Sequence, residues 1–309
     1  MIPVVPAVLA IVLAAHGIRK KSLSPSGGLA AFVVGFLMMS VPLRGFGISL
    51  IIFYLTGSRV TKVGKQLKGS LEEGHNEAGY RSGWQVLCNS FSAFIASSLW
   101  AAMFAPGSIH AYLFGSILPP HLSWHRSNFN MDKTCPVNPH IGGGWSRTLL
   151  LIALGHFACC LGDTMASELG ILSKSSPRLV TTFGRVPPGT NGAMSTSGTL
   201  ASLAGGVIMG LTMFVSLMMD SAGCRADAAK HLTSMVFVGA LGGLGGSALD
   251  SLLGATIQKT EFSNVTNRII TDETKGTPRS EGEVKVISGQ DILSNNQACL
   301  GLICLVVYI

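Results

Sequence analysis

Two acidic residues stand among hydroxyl side chains directly after an apolar stretch, in the segment Gly162–Gly170 (GDTMASELG). Asp163 and Ser167 are one helical turn apart, and so are Thr164 and Glu168. A carboxylate at the centre of a membrane costs roughly 2.5–3.5 kcal/mol on insertion scales, so acids at the end of an apolar stretch indicate a function. Oxygen ligands of this kind suit a hard cation such as Mg²⁺. The alternative is an ordinary helix end with a capping acid and a solvated Glu168.

A second polar segment, Arg185–Ser195 (RVPPGTNGAMS), leads into another apolar stretch. Its Pro, Gly and Asn residues predict tight turns. Backbone N–H groups of such a loop, at a helix N-terminus, form a site for an anion, and two arginines nearby add positive charge for a phosphate. The predicted phosphate-binding residues are Arg178, Arg185, Gly189, Thr190, Asn191, Gly192 and Ser195. The alternative is a loop that only caps the following helix.

Asp250 is the third acidic candidate, and it lies within the apolar segment Gly245–Gln258 (GGSALDSLLGATIQ). An acid inside an apolar helix is a functional-site hypothesis by default. The alternative is a carboxylate that reaches the membrane interface. The sequence lacks the motifs of several other chemistries, namely G-x-x-x-x-G-K-[ST], G-x-S-x-G and H-E-x-x-H.

The chain that must position these residues is unusually apolar. Of its 309 residues, 48% are hydrophobic and 12% are charged, whereas about 25% are charged in a typical soluble domain. The composition therefore predicts an all-α, polytopic integral membrane protein with about 6–7 transmembrane helices. Glycines four residues apart, such as Gly206 and Gly210, predict close helix packing. The candidate spans are roughly 2–18, 27–43, 45–58, 84–105, 147–162, 198–219 and 232–256.

Charge and cysteine patterns limit the topology and the partners. The side of the membrane that carries the loop after the first span is here called side A. Most of the 22 basic residues fall on side A, and this bias predicts that side A is cytosolic. The three acidic and loop segments also lie on side A. The basic residues form no stripe between aromatic residues, so we expect no nucleic acid partner. The 7 cysteines contain no C-x-x-C pair, and we expect neither a disulfide framework nor a zinc site.

The sequence divides into three parts. Residues 1–256 form the multi-span membrane domain. Residues 257–297 are rich in charge and poor in large apolar side chains, which predicts a solvated cytosolic segment with loop or disorder around 280–283. Residues 298–309 are apolar but too short to cross a bilayer, and we expect them to belong to an incomplete span.

The strings GDTMASELG, VPPGTNGAMS and GSALDSLLGATIQ, together with RSGWQVLCN and LSKSSPRLVTTFGRVPPGTNG, resemble the transmembrane protein 19 family of polytopic membrane proteins. The resemblance runs from about residue 20 to residue 296. The phrases GHFACCLGDT and FSAFIASSLWAAMFAPGSIHA resemble the plant branch of that family, described as a plasma-membrane regulator of the glucose response. This resemblance implies the plasma membrane as the location, with an endomembrane or the plastid envelope as alternatives.

Distant relatives of this family include plant phytyl-phosphate kinase. That relation implies a nucleotide-dependent phosphotransferase that uses Mg²⁺, takes CTP or ATP as the phosphate donor and acts on a prenyl phosphate in the lipid bilayer. In such an enzyme Asp163, Glu168 and Asp250 would be catalytic and would hold Mg²⁺, and the loop at Gly189–Gly192 would receive phosphates. Two alternatives remain, a non-catalytic membrane regulator of the sugar response and a small-molecule transporter.

Overall fold

The structure is a computed structural model that describes residues 3–73, 80–116, 132–173, 175–270 and 283–292. Its helices follow the apolar stretches of the sequence, except that the predicted span 84–105 is divided into α5 and α6. In chain order the helices are α1 (Val4–Arg19), α2 (Pro25–Met39), α3 (Arg44–Val60), α4 (Lys65–Leu71), α5 (Gly83–Cys88), α6 (Phe91–Phe104), α7 (Ile109–Phe114), α8 (Trp145–Gly170), α9 (Thr196–Asp220), α10 (Ala222–Ala226) and α11 (Ala228–Thr256). A 3₁₀ turn at Ile141–Gly144 precedes α8.

Three of the described helices are long and apolar enough to cross a membrane: α8 with its preceding turn, α9 and α11. Helices α3 and α4 form a fourth candidate span, bent by 69°. Helices α1, α2 and α6 are apolar but only 14 to 16 residues long. At 1.5 Å per residue they reach about 21–24 Å, which is less than the roughly 30 Å of a bilayer core. The prediction of a multi-span helical fold is confirmed.

Helices α8, α9 and α11 pack against one another through glycine. A Cβ atom at Gly162 would lie 2.7 Å from the Cα atom of Gly243, and one at Gly205 would lie 2.9 Å from the Cα atom of Gly162. The carbonyl oxygen of Gly239 occupies the space where a Cβ atom of Gly206 would be. Backbones approach this closely only where side chains are absent, as the small-residue spacing predicts. The three helices thereby form a tight unit whose ends meet at the predicted site.

The sequence predicts no disulfide framework, but the described residues contain one disulfide. Cys135 and Cys224 form one, with their Cα atoms 4.6 Å apart. The two cysteines are 89 residues apart, so their proximity follows only from the fold. Cys135 lies shortly before α8 and Cys224 lies in α10 after α9, and because α8 and α9 are antiparallel these ends share side B, the side opposite side A. The backbone N–H of Ala222 donates to the carbonyl oxygen of Asp132 beside the disulfide (2.9 Å).

The segment after α11 folds on side A, where the sequence predicts a solvated stretch. A small sheet contains β1 (Glu72–Glu73), β4 (Thr260–Ser263), β5 (Arg268–Ile270) and β6 (Val284–Ser288) in the order β1-β5-β4-β6. Strand β1 is parallel to β5 and the other pairs are antiparallel. Thr260, Ile269 and Ile270 are buried in this sheet. The segments 271–282 and 298–309 lie outside the described residues.

A two-stranded hairpin, β2 (Arg178–Leu179) and β3 (Ala193–Met194), connects α8 to α9. Its strands are antiparallel, and the backbone N–H of Val180 donates to the carbonyl oxygen of Gly192 (3.0 Å). The hairpin carries the predicted phosphate loop between its strands. It therefore fixes the position of that loop relative to the ends of α8 and α9.

Candidate functional site

The side A ends of α8 and α11 and the loop before α9 surround a cavity of about 280 Å³, here called the polar cavity. Helix α8 contributes one carboxylate and α11 contributes the other. Hydroxyl groups from all three helices line the space between them. The polar lining residues are Asp163, Ser167, Thr190, Asn191, Ser195, Thr199, Ser247, Asp250 and Ser251.

The carboxylates of Asp163 and Asp250 share this cavity and interact electrostatically. Both side chains are partly buried. The ion pairs of the described residues join other acids, namely Asp220, Glu168 and Glu261, to basic partners. Two like charges that have no basic partner among the described residues favour a cation between them. Hydroxyl oxygens complete an oxygen-rich environment of the kind that Mg²⁺ prefers.

The loop opposite the carboxylates is held in one conformation. Gly189 and Gly192 have positive φ angles of 89° and 77°. A Cβ atom at Gly192 would lie 2.5 Å from the carbonyl oxygen of Ser251, so glycine is required there for both conformation and space. The hydroxyl of Thr190 donates to the carbonyl oxygen of Pro187 (2.7 Å). These contacts pack the loop against the end of α11.

The sheet on side A also holds this loop. The backbone N–H of Asn191 donates to the hydroxyl of Thr260 in β4 (3.2 Å). Gly254 at the end of α11 leaves room for the loop, because a Cβ atom there would lie 2.8 Å from the backbone nitrogen of Gly192. The segment after α11 is therefore part of the scaffold of the candidate site.

Ser195 joins the ends of two helices beside the cavity. Its hydroxyl accepts a hydrogen bond from the backbone N–H of Gly198 (3.1 Å) and so caps α9. The same hydroxyl donates to the carbonyl oxygen of Gly170 at the end of α8 (3.4 Å). The first backbone N–H groups of α9 have no acceptor within the helix, and its dipole favours an anion at this end. The polar cavity therefore places two carboxylates opposite the N-terminus of a helix.

Glu168, which the sequence groups with the two aspartates, lies outside the polar cavity. Glu168 is five positions after Asp163, and at 100° per residue the two side chains point about 140° apart around the helix axis. Glu168 instead forms an ion pair with Lys68 of α4. The described residues contain no group of three His, Cys, Asp or Glu side chains that could hold a metal ion. The three-carboxylate site expected from the sequence is thus reduced to two carboxylates and neighbouring hydroxyls.

The two arginines expected to bind phosphate also lie outside the polar cavity. The guanidinium of Arg178 donates through Nη1 to the carbonyl oxygen of Phe183 (2.9 Å). Arg185 is exposed, and its backbone pairs with that of Arg178. Both side chains belong to the outer part of the hairpin region. Neither guanidinium therefore lines the polar cavity, and the expected phosphate-binding role of the two arginines stays a prediction.

Several lining residues escaped the prediction. Ser247 and Ser251 lie three residues before and one residue after Asp250, which places all three on one face of α11. That spacing could have predicted that the two serines line the cavity. Thr199 lies one turn after Ser195 in α9, so the same spacing could have predicted it as well. Thr260 had no local signal, because its contact with Asn191 joins residues that are distant in the sequence.

Comparisons with known proteins agree with this architecture. The family model described as "Integral membrane protein DUF92" matches residues 8–305. Protein PGR of Arabidopsis thaliana is 36% identical over 289 residues, which cover 94% of this chain and 88% of that protein. An uncharacterized membrane protein of Methanocaldococcus jannaschii is 26% identical over 246 residues, 80% of this chain and 79% of that protein.

A second plant protein is similar to part of this chain. Protein VTE6, chloroplastic, of Arabidopsis thaliana is 32% identical over 132 residues, which cover 42% of this chain and 35% of that protein. No solved structure matches the chain. The match to Protein PGR confirms the resemblance to the plant branch. Since the family model spans nearly the whole chain and Protein PGR is matched over most of its length, the chain belongs to the DUF92 family of integral membrane proteins.

Proposed function

We propose that the protein is a Mg²⁺-dependent phosphotransferase that acts on a prenyl phosphate at the cytosolic face of its membrane, with CTP or ATP as the donor. The observation that carries this proposal is the pair Asp163 and Asp250, which faces the start of α9 across the polar cavity. Phosphoryl transfer requires mainly positioning and charge neutralisation, which a cation site beside an anion site supplies. The distant resemblance of the sequence to plant phytyl-phosphate kinase supports the same reaction class.

Each part of the site has a role in this proposal. Asp163 and Asp250 would hold Mg²⁺, and nearby hydroxyls such as that of Ser247 would support them. Bound Mg²⁺ supplies positive charge to the transferring phosphoryl group. The backbone N–H groups of Thr190 and Asn191 already donate to Pro187 and Thr260, so phosphates would be oriented mainly by the backbone N–H groups at the start of α9. A prenyl phosphate is already an anionic nucleophile, so the site needs no general base to activate it.

The orientation of the membrane domain supports access to nucleotide. Most basic residues lie on side A, as is typical of cytosolic loops. The disulfide between Cys135 and Cys224 lies on side B, and disulfides persist in oxidising compartments outside the cytosol. Both features support a cytosolic position for the polar cavity, where CTP and ATP are available. The plasma membrane is the proposed location, by resemblance to the plant branch.

The proposal is tested by supplying the detergent-purified protein with labelled CTP or ATP, Mg²⁺ and a panel of prenyl monophosphates. We expect a diphosphate product from the unmodified chain, and a rate lower by roughly 100-fold or more in Asp163→Asn and Asp250→Asn. Asp227→Asn is the matched control, because Asp227 is exposed at the opposite end of α11. Absence of product from a folded, monodisperse sample would contradict the proposal, as would full activity in both site variants.

A second candidate is a non-catalytic membrane regulator of the sugar response. It is favoured by the extent of the similarity to Protein PGR, 94% of this chain, against 42% for Protein VTE6. In that case the polar cavity binds a phosphorylated ligand without turning it over. Transport is less well supported, because the polar cavity lies at the ends of α8 and α11 and not at mid-membrane. Binding of a prenyl monophosphate without any product would favour the regulator.

A further inference from the structure

A second opening adjoins the polar cavity between the hairpin and the first turns of α9. This opening, here called the groove, has a volume of about 550 Å³. Met194, Ser195 and Thr199 line both the groove and the polar cavity, so the two spaces are adjacent. The other walls of the groove are largely apolar, and they include Leu179, Val180, Phe183 and Leu200.

Exposed apolar side chains flank the groove. Leu200 is 67% exposed near the start of α9, a helix that is apolar enough to cross a membrane. Phe183 is 68% exposed at the tip of the hairpin. Apolar side chains at this level are typical of contact with the membrane interface.

The tip of the hairpin is held rigidly by the chain around it. Phe183 has a φ of +56°, a conformation that non-glycine residues rarely adopt. Its backbone N–H donates to the carbonyl oxygen of Leu179 (2.8 Å), and its carbonyl oxygen accepts from the guanidinium of Arg178 (2.9 Å). The side chain of Arg178 therefore lies along the groove while it fixes Phe183.

We propose that the groove binds the hydrocarbon chain of a single-chain prenyl monophosphate, which enters sideways from the cytosolic leaflet. Its phosphate then lies in the polar cavity and its chain lies between the hairpin and α9. An apolar groove directly beside a polar cavity, with three lining residues in common, matches a molecule with one apolar chain and one anionic end. The proposal rests on the proposed function for the identity of the substrate, but the binding of the chain is tested without any turnover.

The experiment measures equilibrium binding to the detergent-purified full chain, without nucleotide. The two probes are geranylgeranyl monophosphate and isopentenyl monophosphate, which differ in chain length and share the phosphate. Leu200→Gln makes one wall of the groove polar, and we expect it to weaken binding of the long probe about tenfold. Binding of the short probe should not change. An exposed position such as Leu200 tolerates this change without loss of the fold.

Leu211→Gln is the matched control. Leu211 is 41% exposed on the same helix, eleven residues further along, which is about three turns and nearly the same face. It should bind both probes as the unmodified chain does. Equal weakening of long-probe binding by Leu200→Gln and Leu211→Gln would overturn the proposal. So would equal affinity of the unmodified chain for the two probes. Binding of a diacyl phosphatidic acid as tightly as the long probe would also overturn it. Binding that follows the expected pattern without product formation would leave the groove in place and contradict only the phosphotransferase.

Discussion

Lys68 and Glu168 form an ion pair in which the lysine is the more buried partner. The side chain of Lys68 is 2% exposed to solvent and that of Glu168 is 25% exposed. A buried charge that loses its partner costs about 3–5 kcal/mol. We expect Glu168→Gln to lower the free energy of unfolding by an amount in this range, because the ammonium group of Lys68 is left buried. Lys68→Met should cost clearly less, because Glu168 still reaches solvent.

Thermal unfolding of both variants in one detergent measures the difference. Glu168→Gln combined with Lys68→Met serves as the control, since it removes both charges and should recover most of the stability lost in Glu168→Gln. A double variant as unstable as Glu168→Gln alone would show that the pair is not the cause.

At the residue scale, the sequence was informative wherever polar residues interrupt apolar stretches. Asp163, Asp250 and the loop before α9 stand out for that reason, and the structure brings them to one cavity. Glu168 was grouped with them by nearness in the sequence, but the rotation of the helix directs it to Lys68. Arg178 was grouped by charge alone, and its hydrogen bond to the carbonyl of Phe183 keeps its guanidinium in the hairpin region. The catalytic roles themselves remain predictions.

At the scale of elements, the packing of α11 on α9 depends on particular glycines. A Cβ atom at Gly239 would lie 2.9 Å from the backbone nitrogen of Gly210, whereas one at Gly245 would meet nothing within 4 Å. We expect Gly239→Ala to lower the free energy of unfolding by about 1–3 kcal/mol or more, because the backbones must separate. Gly245→Ala, on the same helix, should be neutral or slightly stabilising. Unfolding in detergent compares the two, and similar losses would contradict this account of the interface.

The contact between the sheet and the predicted phosphate loop at Gly189–Gly192 leads to a second prediction at the scale of elements. Thr260→Val removes the hydroxyl that accepts from the backbone N–H of Asn191, and we expect a loss of about 1 kcal/mol in stability together with weaker binding of inorganic phosphate. Thr260→Ser keeps the hydroxyl and is the control. Unfolding and phosphate titration measure the two effects. Unchanged phosphate binding in Thr260→Val would show that the sheet does not position the loop.

The sequence predicted elements well where the signal is local. Apolar stretches identified the helices, because a buried or lipid-facing helix needs a run of apolar residues. The sheet on side A was not predicted, since β1 comes from residues 72–73 and its partner β5 from residues 268–270. The disulfide was missed for the same reason, as Cys135 and Cys224 meet only when α8 and α9 have packed. Long-range pairing leaves no periodic pattern in a single sequence.

At the scale of the whole molecule, the two sides of the membrane domain differ in chemistry. Side B carries the disulfide between Cys135 and Cys224, and side A carries the polar cavity, the sheet and most of the basic residues. The basic bias and the disulfide both favour a cytosolic side A, because thiols stay reduced in the cytosol. The proposed reaction requires this orientation, since its nucleotide donor is cytosolic.

Single added cysteines test the orientation. Val265→Cys places a thiol on side A, where Val265 is 68% exposed, and His140→Cys places an exposed thiol on side B. In sealed cells treated with a membrane-impermeant maleimide, we expect labelling above the unmodified chain for His140→Cys and none for Val265→Cys until the membrane is permeabilised. In vesicles from an internal membrane, whose cytosolic face is outward, the pattern should invert. Labelling of Val265→Cys in sealed cells would show that side A, and with it the polar cavity, faces away from the cytosol and its nucleotides. That result would contradict the phosphotransferase, whatever the affinity of the site for phosphate.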